Sequence, residues 1–175
     1  MIGIAVQSYI SSSESSSKSI SVERIRELSQ RLAKLDTWTL QCHLDELNEE
    51  RSHWAANLPG MGQLARKKGV DRTKKVLGAI VTQTGGSTTP ADLSQLGRKQ
   101  QLTICVNANI TLEEQNIVIK QFKTMEMMHR VVSYRQQQGK SLPTDPKSLF
   151  AVMVEDVPKI ATRKEIKEIQ WANMQ

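Results

Sequence analysis

Six cations fall within ten residues of this chain: Arg66, Lys67, Lys68, Arg72, Lys74 and Lys75, divided into two triplets by a Gly69-Val70 turn. Arginine and lysine at this density suit one task, the neutralisation of phosphates or carboxylates on a polyanion. Thr73 and Gln63 are the neutral side chains beside them best able to add directional hydrogen bonds. Arg98 and Lys99 can extend the patch. Residues 59–100 hold eight Lys or Arg against two acids, an excess equal to the +6 net charge of the whole 175-residue chain. Charge focused in this way draws polyanions better than the same charge spread evenly. The expectation is a nucleic-acid interface, to DNA or RNA, built from Arg66, Lys67, Lys68, Arg72, Thr73, Lys74, Lys75, Arg98 and Lys99. Six phosphate contacts would give a log–log salt slope of roughly −5 on duplex DNA. No aromatic residues interleave the cations, so stacking on unpaired bases is not expected.

Other residue patterns point to chemistry less well. Glu50-Arg-Ser-His53 and Glu126-Met-Met-His129 are two Glu-x-x-His pairs on helical stretches. In this they resemble the ferritin-like di-iron carboxylate proteins, where residues three apart on a helix share a metal ion. That group also needs an inward glutamate from each of two further helices. Glu23 and Glu27 lie off the apolar stripe of their helix, and the region around residue 93 offers Asp92 alone. The ligand set is incomplete, and no metal or other cofactor is expected. Cys42 and His43 are neighbours whose side chains would point about 100° apart on a helix, a poor nucleophile and base. Gly60-Met61-Gly62 lacks the rest of a phosphate loop. No catalytic residue emerges, so the chain reads as non-enzymatic.

The basic stretch also resembles a helix-turn-helix at Ala65 and Gly69, a small residue where two helices would cross and a glycine at the turn. It departs from that pattern at Lys68, Lys75 and Gly78, where apolar residues are usual. Some other basic helical surface fits better.

The elements that must carry these residues read as helices. Seven aromatic residues leave a core of Leu, Ile, Val and Met, a composition that favours packed helices. Val22, Ile25, Leu28, Leu32 and Leu35 recur at helical steps behind a Ser21 cap, and Leu40, Leu44, Leu47, Trp54 and Leu58 repeat the pattern behind Asp36 or Thr37. Asp71 to Thr84 is amphipathic: Val76, Leu77, Ile80 and Val81 span an arc of about 140°, and Gly85-Gly86 stops the run. Thr89-Pro90-Ala91-Asp92, Thr111-Leu-Glu-Glu114, Asp145-Pro146 and Thr162-Arg-Lys-Glu165 are helix starts. Leu102 to Val106 is β-prone, and Pro158 should break the helix begun at Pro146. The longest helix, from Thr111 to about Gln138, carries the broadest apolar face.

These readings give an all-α, multi-helix bundle. A flexible serine-rich N-terminal arm (1–20) precedes a single helical domain (21–175), with possible sub-units 21–86 and 87–175. Cys42 and Cys105 make no zinc or disulfide pattern and suit reduced, buried thiols. No apolar run approaches the roughly 18 residues of a membrane span, so a cytoplasmic protein is expected. The leading function is a nucleic-acid-binding regulatory or architectural protein. The alternative is a helical assembly or adaptor protein, whose basic face meets an acidic protein partner or membrane surface and which can form homo-oligomers.

Overall fold

The computed structural model describes residues 22–48 and 70–172. Among them lie eight helices and no strand, in an all-α fold. In chain order these are α1 (Val22–Lys34), α2 (Leu40–Asn48), α3 (Val70–Thr84), α4 (Pro90–Ser94), α5 (Arg98–Ala108), α6 (Leu112–Gln137), α7 (Pro146–Ile160) and α8 (Arg163–Ala172). The arm 1–20, the cap Ser21, and Glu50, His53, Trp54, Leu58 and Gln63 to Gly69 lie outside the described residues. No described helix is long and apolar enough to cross a membrane.

Local chemistry sets most helix ends. Thr89 and Asp92 form a reciprocal capping box: the Asp92 carboxylate accepts from the Thr89 N–H at 2.8 Å, and the Thr89 hydroxyl accepts from the Asp92 N–H at 3.4 Å. Asp145 caps α7 by accepting from the N–H groups of Lys147 and Ser148, each at 2.9 Å. Thr162 and Glu165 do the same for α8.

Three boundaries differ from the sequence reading. Thr39 caps α2, its hydroxyl accepting from the Cys42 N–H at 3.3 Å, in place of Asp36 or Thr37. The β-prone Leu102–Val106 is helical within α5. Good helix formers precede it at Arg98–Gln101, and a lone strand would have no neighbour to complete its ladder. The α7 helix continues through Pro158 to Ile160. A proline so near the C-terminus removes one backbone bond from the last turn and leaves the earlier ones intact.

Residues 1–36 and 127–175 form one compact unit, and residues 37–126 another. Residues 112–126 of α6 belong to the second unit and 127–137 to the first. In the first unit, Ile25, Leu28 and Leu32 are buried along α1, and Met128, Val131, Val132, Leu149 and Val152 complete the core. Asp156 is fully buried and ion-paired with Arg135 and Lys159. Burial pushes its carboxyl up, but the bonds from Lys159 and Arg135 outweigh this and hold it below its usual range. His129 is buried, its Nε2 2.8 Å from the Leu35 carbonyl, an acceptor that requires the proton on that nitrogen.

The second unit packs α2 and α5 on α3. Here α2 is turned relative to the expected stripe: Leu40, His43, Glu46 and Leu47 are buried, while Leu44 is half-exposed. The His43 ring lies between Trp38 and Phe122, with centroids 6.0 and 5.6 Å away. Neither of its nitrogens has a hydrogen-bond partner among the described residues, and the same holds for Trp38 Nε1, Thr73 Oγ1 and Gln115 Nε2. Buried polar atoms without partners are uncommon, and a histidine so placed resists charging.

Burial lowers the His43 pKa from 6.5 to about 4. The unfolded chain binds a proton in that window that the folded chain does not, so this contribution is intact above pH 6.5 and falls as pH drops toward about 4. The loss reaches about 3 kcal/mol. Thermal unfolding should therefore show a midpoint that declines between pH 6.5 and about 5, above the range where most carboxylates titrate. His43→Leu should flatten the profile in that window, and an unchanged slope would remove His43 as its source.

Candidate nucleic-acid interface

The α3 helix presents the second cationic triplet, and its own periodicity decides which side chains face out. Thr73, Val76, Leu77 and Ile80 are buried, so the inward arc is centred nearer Thr73 than the apolar pattern implied, and Val81 is half-exposed. Thr73 is 2% exposed with its hydroxyl in the interior. It is withdrawn from the surface. A threonine's methyl and compact volume let it share an apolar face, and spacing alone could not separate the two roles.

Arg72 is committed within the fold. Its Nε and Nη2 donate to the two carboxylate oxygens of Glu114 at 2.9 and 2.8 Å, and Nη2 also reaches the Asn109 carbonyl at 3.0 Å. The Glu114 side chain is 3% exposed and that of Arg72 is 26% exposed. Two parallel N–H···O bonds to a buried carboxylate form the strongest common arginine pairing. The bond to Glu114 raises the guanidinium pKa, so its charge is permanent. Glu114 also accepts from the Thr111 N–H at 2.8 Å, while the Thr111 hydroxyl accepts from the Glu114 N–H at 3.1 Å. One carboxylate thus caps α6 and anchors α3. Asn109, held in the left-handed region at φ 51°, ends α5 and supplies the third contact. Arg72 is therefore engaged within the fold, its charge opposed by the Glu114 carboxylate.

The remaining cations divide. Arg66, Lys67 and Lys68 lie outside the described residues. Lys74 is half-buried and Lys75 exposed, and at 100° per residue Asp71 projects between them. Arg98 and Lys99 are exposed in the first turn of α5. They stand about 15 Å along that helix from Asn109, where Arg72 is bound, so they form a separate patch from the N-terminal turns of α3. Lys74, Lys75, Arg98 and Lys99 make no ion pair among the described residues.

The loop after α3 fixes how this helix meets α2. Gly85 ends α3 at φ 93°, and the carbonyls of Gly86 and Thr88 accept from the N–H groups of Gln41 and Leu40, each at 2.9 Å. A Cβ on Gly86 would lie 3.1 Å from the Gln41 side-chain oxygen, so this second glycine permits the close approach.

Among the described residues no three His, Cys, Asp or Glu side chains are placed to hold a metal ion. Cys105 is buried and donates to the Gln115 side-chain oxygen at 3.4 Å, while Cys42 is half-exposed; both are free thiols. Burial and the nearby Glu114 push the Cys105 thiol pKa up, away from nucleophilic character. No protein-family model matches the chain, nor does any curated protein or solved structure. Sequence reasoning missed Glu114 as the partner of Arg72. Its capping role was visible in Thr111-Leu-Glu-Glu114, but a pairing across 42 residues left no local signal.

Removing the buried carboxylate should separate scaffold from surface. Glu114→Ala, which strips Arg72 of its partner and α6 of its cap, should lower stability by about 2 kcal/mol. Lys75→Ala should leave a urea unfolding curve where it is. Equal midpoints for the two variants would refute the anchoring role of Glu114.

Proposed function

We propose that this chain is a non-enzymatic nucleic-acid-binding protein, regulatory or architectural in kind, that grips the phosphate backbone with a basic helical face. The observation that carries the reading is the concentration of the whole +6 charge excess in residues 59–100, with Lys74 and Lys75 left unpaired at the surface among the described residues. The assignment of groups is now narrower. Arg72 orients α3, Thr73 packs inside, and Arg66, Lys67, Lys68, Lys74 and Lys75 remain as the phosphate ligands. With Thr73 inside, this set is made of side chains that neutralise charge and do not discriminate bases, so backbone contact without base readout follows.

The alternative, a helical assembly or adaptor protein, draws support from an exposed apolar pair on α5, Leu102 and Val106. Fluorescence anisotropy with duplex DNA, duplex RNA and single strands at two salt concentrations distinguishes the readings. Five phosphate contacts give a log–log slope of roughly −4.5 on duplex DNA and roughly −3.5 on single strands. Lys74→Glu with Lys75→Glu should weaken binding to all sequences alike and make the slope shallower by about 2. No binding at low salt, or binding indifferent to these reversals and to those of Lys67 and Lys68, would sink the nucleic-acid reading.

A further inference from the structure

The α3 helix carries a glycine that nothing else in the described fold requires. Gly78 stands in the middle of its 15 residues, where glycine is the poorest helix former after proline. A Cβ built at this half-exposed position would meet nothing within 4 Å among the described residues, and its φ is not in the left-handed region. Neither packing nor backbone conformation there excludes alanine. Gly86, by contrast, is hemmed in by the Gln41 side chain, and Gly85 is held at φ 93°. Bare backbone on an open helix surface lets a ligand approach closely.

Helix geometry gives that open space its place. The buried residues Thr73, Val76, Leu77 and Ile80 define the inward direction, and at 100° per residue Gly78 lies within about 30° of the outward one. Lys75 and Lys74 precede it by three and four residues, about 60° and 40° to either side. A helical side chain leans over the turn N-terminal to its own Cα, so a side chain at 78 would occupy the surface between the two lysines. Glycine leaves that slot open. Thr82, a turn further on, donates its hydroxyl to the Gly78 carbonyl at 2.8 Å and bounds the slot with a short side chain. Asp71, the one acid on this helix, shares the outward face but lies about 10 Å back along the axis, and its own lean carries it further away.

We infer that Gly78 is the seat of one phosphodiester strand of a duplex, which crosses α3 between Lys74 and Lys75. The inference rests on the nucleic-acid reading above and fixes where on α3 the contact falls. Lys74 and Lys75 make no ion pair among the described residues, so both ammonium groups are available to the strand, one from either side. Mid-helix amides are consumed by the helix itself, so the bare backbone supplies closeness and the lysines supply charge. Closeness matters because Coulomb attraction falls with distance, and a bulkier residue would hold the phosphate off while leaving the net charge intact. The occupant is a duplex because α3 carries no aromatic side chain on which unpaired bases could stack.

Fluorescence anisotropy of the full chain with a labelled DNA duplex of arbitrary sequence, alongside thermal unfolding, tests the seat. Gly78→Leu should weaken binding about tenfold at unchanged net charge, and Gly78→Ala about threefold. Gly78→Ala should raise the melting midpoint by about 2 °C, because alanine fits the open space and favours the helix. With Lys74→Ala and Lys75→Ala already in place, Gly78→Leu should cost nothing further, since the contact that it blocks is gone. A wild type that binds no duplex at low salt would overturn the nucleic-acid reading and the seat together. Duplex binding unchanged by Gly78→Leu would overturn the seat alone and leave that reading in place. A penalty that persists in full without the two lysines, or a lower melting midpoint for Gly78→Ala, would overturn the seat as well. Polyglutamate that displaces the duplex at equal charge concentration, with the same sensitivity to residue 78, would give the seat to an acidic protein partner and overturn its assignment to a phosphodiester strand.

Discussion

The fork between Arg72 and Glu114 is the constraint on which the second unit turns. A carboxylate that is 3% exposed would be costly without partners, and among those it has are the guanidinium across the helix packing and the Thr111 N–H at the start of α6. The same guanidinium closes the C-terminal end of α5 through the Asn109 carbonyl. Three helices are thereby fixed at one point by directional bonds, where apolar contact alone would let them slide. Once α3 is pinned there, its rotation is set, and the orientations of Thr73, Lys74 and Lys75 follow.

This fork also divides one apparently uniform cluster into parts with different duties. Six cations of equal standing in the sequence separate into an arginine held by the scaffold, two lysines at the surface and a triplet beyond the described region. Arginine is the residue suited to this half-buried position, since its planar group can satisfy a carboxylate and a carbonyl at once. Lysine, a hydrated point charge on a flexible stem, suits a solvated face that neutralises phosphates without demanding geometry.

The all-α architecture was legible in the sequence because its signals are local. The capping boxes at Thr89, Asp145 and Thr162 each involve residues within three positions, and the apolar steps of α1 and α6 repeat several times. What escaped were properties set across the fold. The rotation of α2 brings in His43 and Glu46 where Leu44 was expected, because the neighbouring Trp38 and Phe122 accept an imidazole ring between them. Composition marked Leu102–Val106 for a strand, yet packing of Ile104 and Cys105 made it a helix with its remaining apolar side chains outside. Thr73 could have been a ligand group or a core residue, and only the rotation of α3 decides between them. Pairing partners forty residues apart have no period to reveal them.

The loop that closes α3 ties together two segments of this unit that are remote in the chain. The first two amides of α2 are satisfied by the carbonyls of Gly86 and Thr88, which lie far downstream in the chain. The opening turn of that helix is completed by the segment that follows α3. The opening turn of α2 thus depends on α3 and on the glycine pair that ends it. The polypeptide that follows the basic stretch acts as a template for a helix that precedes it.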